Sequence, residues 1–258
     1  MHRSRWAACA CAAALTILPM GADAAGVYEN AATESALLVS PSHITARATI
    51  EIGAGHDLHA TMFRIVGAFP ARKWFLLWVE MPFVAVSGGA GSESGPGDLL
   101  LRGRARLWGS DGRALALLGK VGTGTGSTRF FPYSSQTLDI NLSVGFVDSI
   151  GAVQPFVVAG YEWAHRVDEP SYSDDTMPAD HLRVSGGADI DLGRRSDIRG
   201  GVAQYWYNTS AQRTLAFAGT GFDWRPALRL LAEGQVELGD ESQRVGDWSI
   251  TAGLAVRF

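Results

Sequence analysis

In an extended chain, neighbouring side chains point to opposite faces, so residues two apart share a face. From Ile44 onward this sequence repeatedly obeys that period. Ile44, Ala46, Ala48, Ile50 and Ile52 alternate with Thr45, Arg47, Thr49, Glu51 and Gly53. Lys73 to Val84 sets Phe75, Leu77, Val79, Met81 and Phe83 against Trp74, Trp78 and Glu80. Asp98 to Trp108 sets Leu99, Leu101 and Leu107 against Arg102, Arg104 and Arg106. Leu138, Ile140, Leu142, Val144 and Phe146 oppose Asp139, Asn141 and Ser143. Similar runs cover Arg113–Gly122, Val153–His165, the stretch from His181 to Leu192, the stretch from Leu228 to Leu238, and Trp248–Phe258. Three further runs, Leu58–Phe69, Asp197–Asn208 and Arg213–Trp224, are strand-like but mixed on both faces. The pattern predicts about twelve strands, each with one apolar face.

The connections separate two architectures. Tight turns such as Ala71-Arg72, Gly109–Gly112, Asp148–Gly151, Gly193–Ser196 and Arg225-Pro226 alternate with longer segments such as Gly88–Gly97, Thr123–Ser135, Arg166–Ala179 and Asp240–Gly246, with two short exceptions near Gly55 and Ser210. A soluble β-sandwich has no reason for this ordering. A transmembrane barrel has short turns at one rim, longer loops at the other, an even number of strands and strands of about ten residues. The expected fold is all-β, a single up-and-down antiparallel transmembrane β-barrel of about 12 strands spanning 44–258. Three arginines at period two cannot face a dry core, so they face water or a polar lumen.

Composition fits that reading. Glycine is abundant (31 residues), the net charge is −4, and no apolar run after residue 25 reaches the ~18 residues that a spanning helix needs. Residues 1–24 read as a cleaved secretory signal: Arg3 and Arg5, an apolar run from Trp6 to Met20, then Ala22-Asp23-Ala24. Cleavage after Ala24 is the expectation, with Ala25 a close rival. Both cysteines, Cys9 and Cys11, fall inside it, so the exported chain uses no disulfides. Residues 25–43 read as a leader or a lumen segment, with a short helix conceivable over Glu29–Leu38. No basic field exists, which disfavours nucleic acid as a partner.

The polar faces supply the candidate lumen residues: Arg47, Glu51, Arg102, Arg104, Arg106, Lys120, Asp139, Glu162, Arg183, Asp189, Asp191, Glu233 and Glu237, with Glu80, Arg199, Arg229, Asp247 and Arg257 beside them. The two signs balance. This predicts ion pairs across the lumen and argues against a strongly anion- or cation-selective pore. Trp163, Trp206, Trp224, Trp248 and Phe258 fall near strand ends, where interfacial aromatic girdles belong.

Catalytic readings fare poorly. His181 and Ser185 share a face but stand about 13 Å apart along a strand, too far for a nucleophile–base pair. His43, His56 and His59 have no partner signal. Asp174-Asp175 reads as a solvated acidic loop, and no residue set points to a metal or cofactor. The glycines between Gly88 and Gly97 lack phosphate-cradle spacing.

Two resemblances add to this reading. Trp248 to Phe258, with its apolar face opening on Trp248 and closing on Phe258, resembles the C-terminal insertion signal of bacterial outer-membrane barrels. Met81-Pro82-Phe83, Gly95-Pro96-Gly97-Asp98-Leu99-Leu100-Leu101 and the stretch from Leu115 to Val121-Gly122-Thr123-Gly124 occur in an order that resembles the family named for the MetA pathway of phenol degradation, within the long-chain fatty-acid channel grouping. That resemblance covers about a third of the chain and implies a passive outer-membrane transporter for hydrophobic compounds, with no catalytic residues. The implied partners are outer-membrane lipid, lipopolysaccharide, the barrel assembly machinery and a small-molecule solute. A structural barrel with a filled lumen and an outer-membrane lipid hydrolase stand as alternatives.

Overall fold

The structure is a computed structural model that describes residues 45–55, 58–88, 91–109, 113–126, 138–163, 180–193, 195–208, 212–238 and 248–258. The signal sequence, the leader, the helix over Glu29–Leu38 and most of the longer loops lie outside the described residues. Among the described residues there are thirteen strands: β1 (Thr45–Gly55), β2 (Leu58–Arg72), β3 (Phe75–Gly88), β4 (Gly91–Pro96), β5 (Leu100–Gly109), β6 (Arg113–Gly122), β7 (Asp139–Asp148), β8 (Val153–Trp163), β9 (His181–Asp191), β10 (Ser196–Tyr207), β11 (Gln212–Arg225), β12 (Leu228–Leu238) and β13 (Trp248–Arg257).

Twelve of them form one closed antiparallel ring. Each pairs with its neighbour in sequence, β5 takes the place after β3, and β13 returns to β1. The closing seam runs from Thr45 opposite Arg257 to Ala54 opposite Trp248. Closure leaves no unpaired edge in the ring, which a lipid-facing sheet requires. Five tight connections gather at one rim with Thr45 and Arg257, and Gly109 and Gly193 turn there at positive φ (100° and 85°), while β1–β2 and β10–β11 are joined briefly at the other rim. Only glycine adopts that conformation without strain.

The outward face is apolar. Ile65 on β2, Met81 and Phe83 on β3, Leu142 on β7, Val157 on β8 and Ile250 on β13 stand exposed. Trp74, Trp108 and Trp224 are exposed at the short-turn rim, and Trp163 and Trp206 at the long-loop rim. Trp78 differs: at 2 % exposure it faces the interior.

β4 is a correction to the sequence reading, which gives Gly88–Gly97 wholly to a loop. Gly91–Pro96 instead pairs with the long-loop half of β3, from Gly88 opposite Gly91 to Phe83 opposite Pro96. β5 pairs with the other half, from Glu80 opposite Leu100 to Phe75 opposite Ala105. Gly97, Asp98 and Leu99 interrupt what would otherwise be one strand. The loop after β6 supplies the missing bonds. The Leu99 amide donates to Thr125 Oγ1 at 3.0 Å, and Thr123 donates from its amide (3.0 Å) and its hydroxyl (3.1 Å) to the Leu99 carbonyl. The buried Asp98 carboxylate accepts the Gly126 amide at 2.8 Å. Asp98 and Leu99 thus meet Thr123, Thr125 and Gly126 in space.

Candidate functional site

The inward face is mixed rather than uniformly polar. Its charges fall into clusters that run along the wall. On β1, β2, β3 and β5 an alternating chain joins Glu51, Arg64, Glu80 and Arg102: Arg64 hydrogen-bonds Glu51, and Arg64 and Arg102 each lie 3.4 Å from Glu80. All four are buried. Arg47 interacts electrostatically with Glu80, Arg64 and Arg102 on this arc and with Arg199 on β10.

Near the long-loop rim, Lys120 Nζ lies 2.9 Å from both carboxylate oxygens of Glu162. Asn141 Nδ2 also donates to Glu162, at 3.4 Å, and the Ser143 hydroxyl donates to Asn141 at 2.7 Å. His181 Nε2 lies 3.9 Å from Glu162. The His181 ring packs 5.0 Å from Tyr207 and 5.5 Å from Tyr205, while the Arg183 guanidinium sits over Tyr205 at 5.3 Å. Arg213 Nε donates to Glu237 at 2.7 Å, and both side chains are almost fully buried.

At the short-turn rim, Arg199 contacts Asp189 and Asp197 at 3.9 and 3.4 Å. Arg229 hydrogen-bonds Asp197 and reaches Asp223 at 3.2 Å, and Arg257 reaches Asp223 at 3.3 Å. This network ties β9, β10, β11, β12 and β13 together.

Apolar side chains and neutral polar ones such as Ser185, Gln235, Ser249 and Thr251 share the other interior positions. One cluster on β6, β7, β8 and β11 holds Ala114, Ala116, Leu118, Val147, Phe156, Val158 and Phe217. A second on β2 and β3 holds Val66, Leu76 and Trp78. Ala60, Met62 and Val84 form a third, nearer the long-loop rim. Phe217 lies opposite Gly201, and its ring covers the glycine at 2.6 Å from the position a Cβ would take.

Several expected residues therefore take defined places. Arg47, Glu51, Arg102, Arg104, Lys120, Asp139, Glu162, Arg183, Asp189, Glu233 and Glu237 sit on the inward faces of their strands, Arg104 at 1 % exposure. Arg106 is at the rim, where its guanidinium donates to the Lys73 carbonyl at 3.0 Å and braces the β2–β3 turn. Asp191 is exposed at the short-turn end of β9, accepting the Gly193 amide at 2.7 Å. It is not a lumen group. Asp247 lies outside the described residues. Among the described residues these ion pairs join groups on the same strand or on strands one or two places apart along the wall.

Sequence reasoning missed Arg64, Arg213, Tyr205, Tyr207, Asp197 and Asp223. Arg64 sits between Met62 and Val66, which also face inward, so its strand shows no clean polar face. Among the described residues no group of His, Cys, Asp and Glu could hold a metal ion.

Solved structures share this architecture. The COG4313 outer membrane channel from Pseudomonas putida F1 superposes with a TM-score of 0.68 at 13% identity, covering 85% of this chain and 97% of that one. The NanC porin gives 0.59 at 12% identity, covering 83% and 100%. The CymD monoaromatic hydrocarbon channel gives 0.53 at 10% identity, covering 93% and 95%. No family model matches the sequence, and no curated protein does. At these identities the likeness establishes the fold. The chain is a closed 12-stranded antiparallel barrel of the bacterial outer-membrane type.

Proposed function

We propose that this protein is a passive channel in the outer membrane of a Gram-negative bacterium, passing small hydrophobic or amphipathic solutes. The carrying observation is the inner face: buried apolar clusters such as Val66–Leu76–Trp78 and Leu118–Phe156–Phe217 alternate with charged ones. A lumen for strongly hydrophilic solutes is polar throughout. These side chains are packed against one another, so a solute passes where they part, and the mixed lining then offers apolar contacts with charged partners at intervals. The resemblance at Gly95–Leu101 to transporters of hydrophobic compounds supports the same reading, as do channels among the structural neighbours, one of them named for monoaromatic hydrocarbons. The cleaved signal at 1–24 supplies the export route. Lipid meets the outward aromatic and aliphatic face, lipopolysaccharide the long-loop rim, and the assembly machinery the β13 end.

Single-channel recording in planar bilayers tests this. Discrete current steps, with solute entry into proteoliposomes, are expected. A flat trace without solute entry would establish the competing structural barrel, which the near-complete burial of Leu215, Ser185 and Ser249 favours.

A further inference from the structure

The cations of the short-turn rim are not spread evenly around the ring. On the β9–β13 side, Arg199, Arg229 and Arg257 each engage an aspartate among Asp189, Asp197 and Asp223. On the β2–β6 side, the turns after β2 and after β5 adjoin, because β3 pairs with β5 from Phe75 opposite Ala105. They bring Arg72, Lys73 and Arg106 together. The Arg106 amide donates to the Trp74 carbonyl at 2.7 Å and its guanidinium to the Lys73 carbonyl at 3.0 Å, so the two turns are bonded to each other. Arg72 and Lys73 are exposed and form no ion pair among the described residues. The described acid on this side is Asp148, and Arg113 engages it through two hydrogen bonds at 2.9 and 2.6 Å. The sequence adds Asp111 to the turn after β5. Positive charge therefore remains in excess here. Trp74 and Trp108 stand exposed beside it, and Phe69, Leu77 and Leu107 continue the exposed apolar surface toward the middle of the wall. Tryptophan belongs at headgroup depth, with aliphatic side chains at acyl-chain depth.

We propose that the adjoining β2–β3 and β5–β6 turns form a docking site on the outside of the barrel for an anionic phospholipid of the periplasmic leaflet. Short turns lie on the periplasmic side of such barrels, where the leaflet is phospholipid. The phosphate and acidic headgroup meet Arg72 and Lys73, the glycerol backbone lies beside Trp74 and Trp108, and the chains cover Phe69, Leu77 and Leu107. All seven side chains are exposed on the outer surface, so the lipid reaches them without any opening in the wall. A zwitterionic headgroup brings an ammonium to a site already in positive excess, so phosphatidylglycerol is favoured over phosphatidylethanolamine. A Lys or Arg beside an anionic membrane surface contributes a several-fold gain, which salt weakens. The site rests on the outer-membrane barrel and holds whether the lumen conducts or is filled.

Native mass spectrometry of the detergent-solubilised barrel, given equal amounts of phosphatidylglycerol and phosphatidylethanolamine with matched chains, tests the assignment. The retained lipid is expected to be phosphatidylglycerol by at least ~5-fold. Arg72→Gln with Lys73→Gln should bring the two lipids to equality, and Arg72→Lys with Lys73→Arg should keep the preference. Arg195→Gln with Arg225→Gln removes the same charge from the side of the rim that carries Asp191, Asp197 and Asp223, and should also keep it. Equal retention by the wild type, an unchanged ratio in the Arg72→Gln, Lys73→Gln barrel, or an equal loss in the Arg195→Gln, Arg225→Gln barrel would overturn the site. Displacement of the lipid by inorganic phosphate at the same concentration would overturn it too, by marking a site for any small anion. Heat-modifiable gel mobility shows that each variant is folded. If the Arg72→Gln, Lys73→Gln barrel fails to fold, the wild-type ratio and the Arg195→Gln, Arg225→Gln variant decide. A wild-type protein without heat-modifiable mobility would remove the barrel itself, whereas a folded barrel that retains both lipids equally removes the site alone.

Discussion

The Asp98 carboxylate accepts the Gly126 amide at 2.8 Å, bridging 28 residues of sequence and holding the loop after β6 against the interruption between β4 and β5. A buried carboxylate bonded to a backbone amide contributes more than a neutral pair does, and its loss strands a donor. Asp98→Ala should lower the unfolding free energy by about 1–3 kcal/mol in a urea titration of the micelle-bound barrel. Asp98→Asn keeps an acceptor and should lose less. Equal losses for the two variants would show that the hydrogen bond does not set the cost.

Arg213 and Glu237 form a pair with both side chains almost fully buried. Removing one member leaves the other charge without its partner. Glu237→Ala should therefore cost about 3–5 kcal/mol, while the joint replacement Arg213→Met with Glu237→Leu should be near neutral or stabilising. Unfolding titrations of the two single variants and the double one check this. A double variant as unstable as the sum of the singles would contradict it.

Gly201 admits no side chain. A Cβ there would lie 2.3 Å from the Gly186 carbonyl oxygen as well as 2.6 Å from the Phe217 ring. The ring can turn away, but the backbone cannot. Gly201→Val should destabilise the barrel by at least ~1–3 kcal/mol, as overpacked interiors do, and adding Phe217→Ala should not restore it. Heat-modifiable gel mobility measured across a temperature series reads the loss. Recovery in the double variant would place the obstruction in the ring alone.

Phe258 follows β13, is 73 % exposed and makes no strand pair. It adds little to the finished wall. Its deletion should reduce the amount reaching the outer membrane several-fold while leaving the melting behaviour of the assembled fraction unchanged. Normal outer-membrane abundance of the truncated protein would refute a role in recognition by the assembly machinery.

How much of this was legible in the sequence depended on what each strand faces. β7 was plain, because Leu142 and Val144 meet the outside while Asn141 and Ser143 meet the lumen. β2 was obscure, because Met62 and Val66 share the inward face with Arg64 and erase the contrast that periodicity detects. β4 was hidden for another reason: its Gly-Ser-Glu-Ser-Gly-Pro sequence has loop composition, and only pairing with β3 makes it a strand. The charged faces were readable and their partners were not. Lys120 meets Glu162 because Asn141 stands opposite both, a result of strand stagger that alternation within a single run does not encode.

Because Thr45 lies opposite Arg257 at the same rim, the first and last strands are ordinary neighbours. The finished wall has no privileged seam. A circular permutant that joins those two ends by a short linker and opens the chain at a long-loop connection would have the same twelve pairings. Any penalty it suffered would then be one of delivery and insertion, not of equilibrium stability. Strand order in this protein matters to how the ring is made and not to what holds it closed.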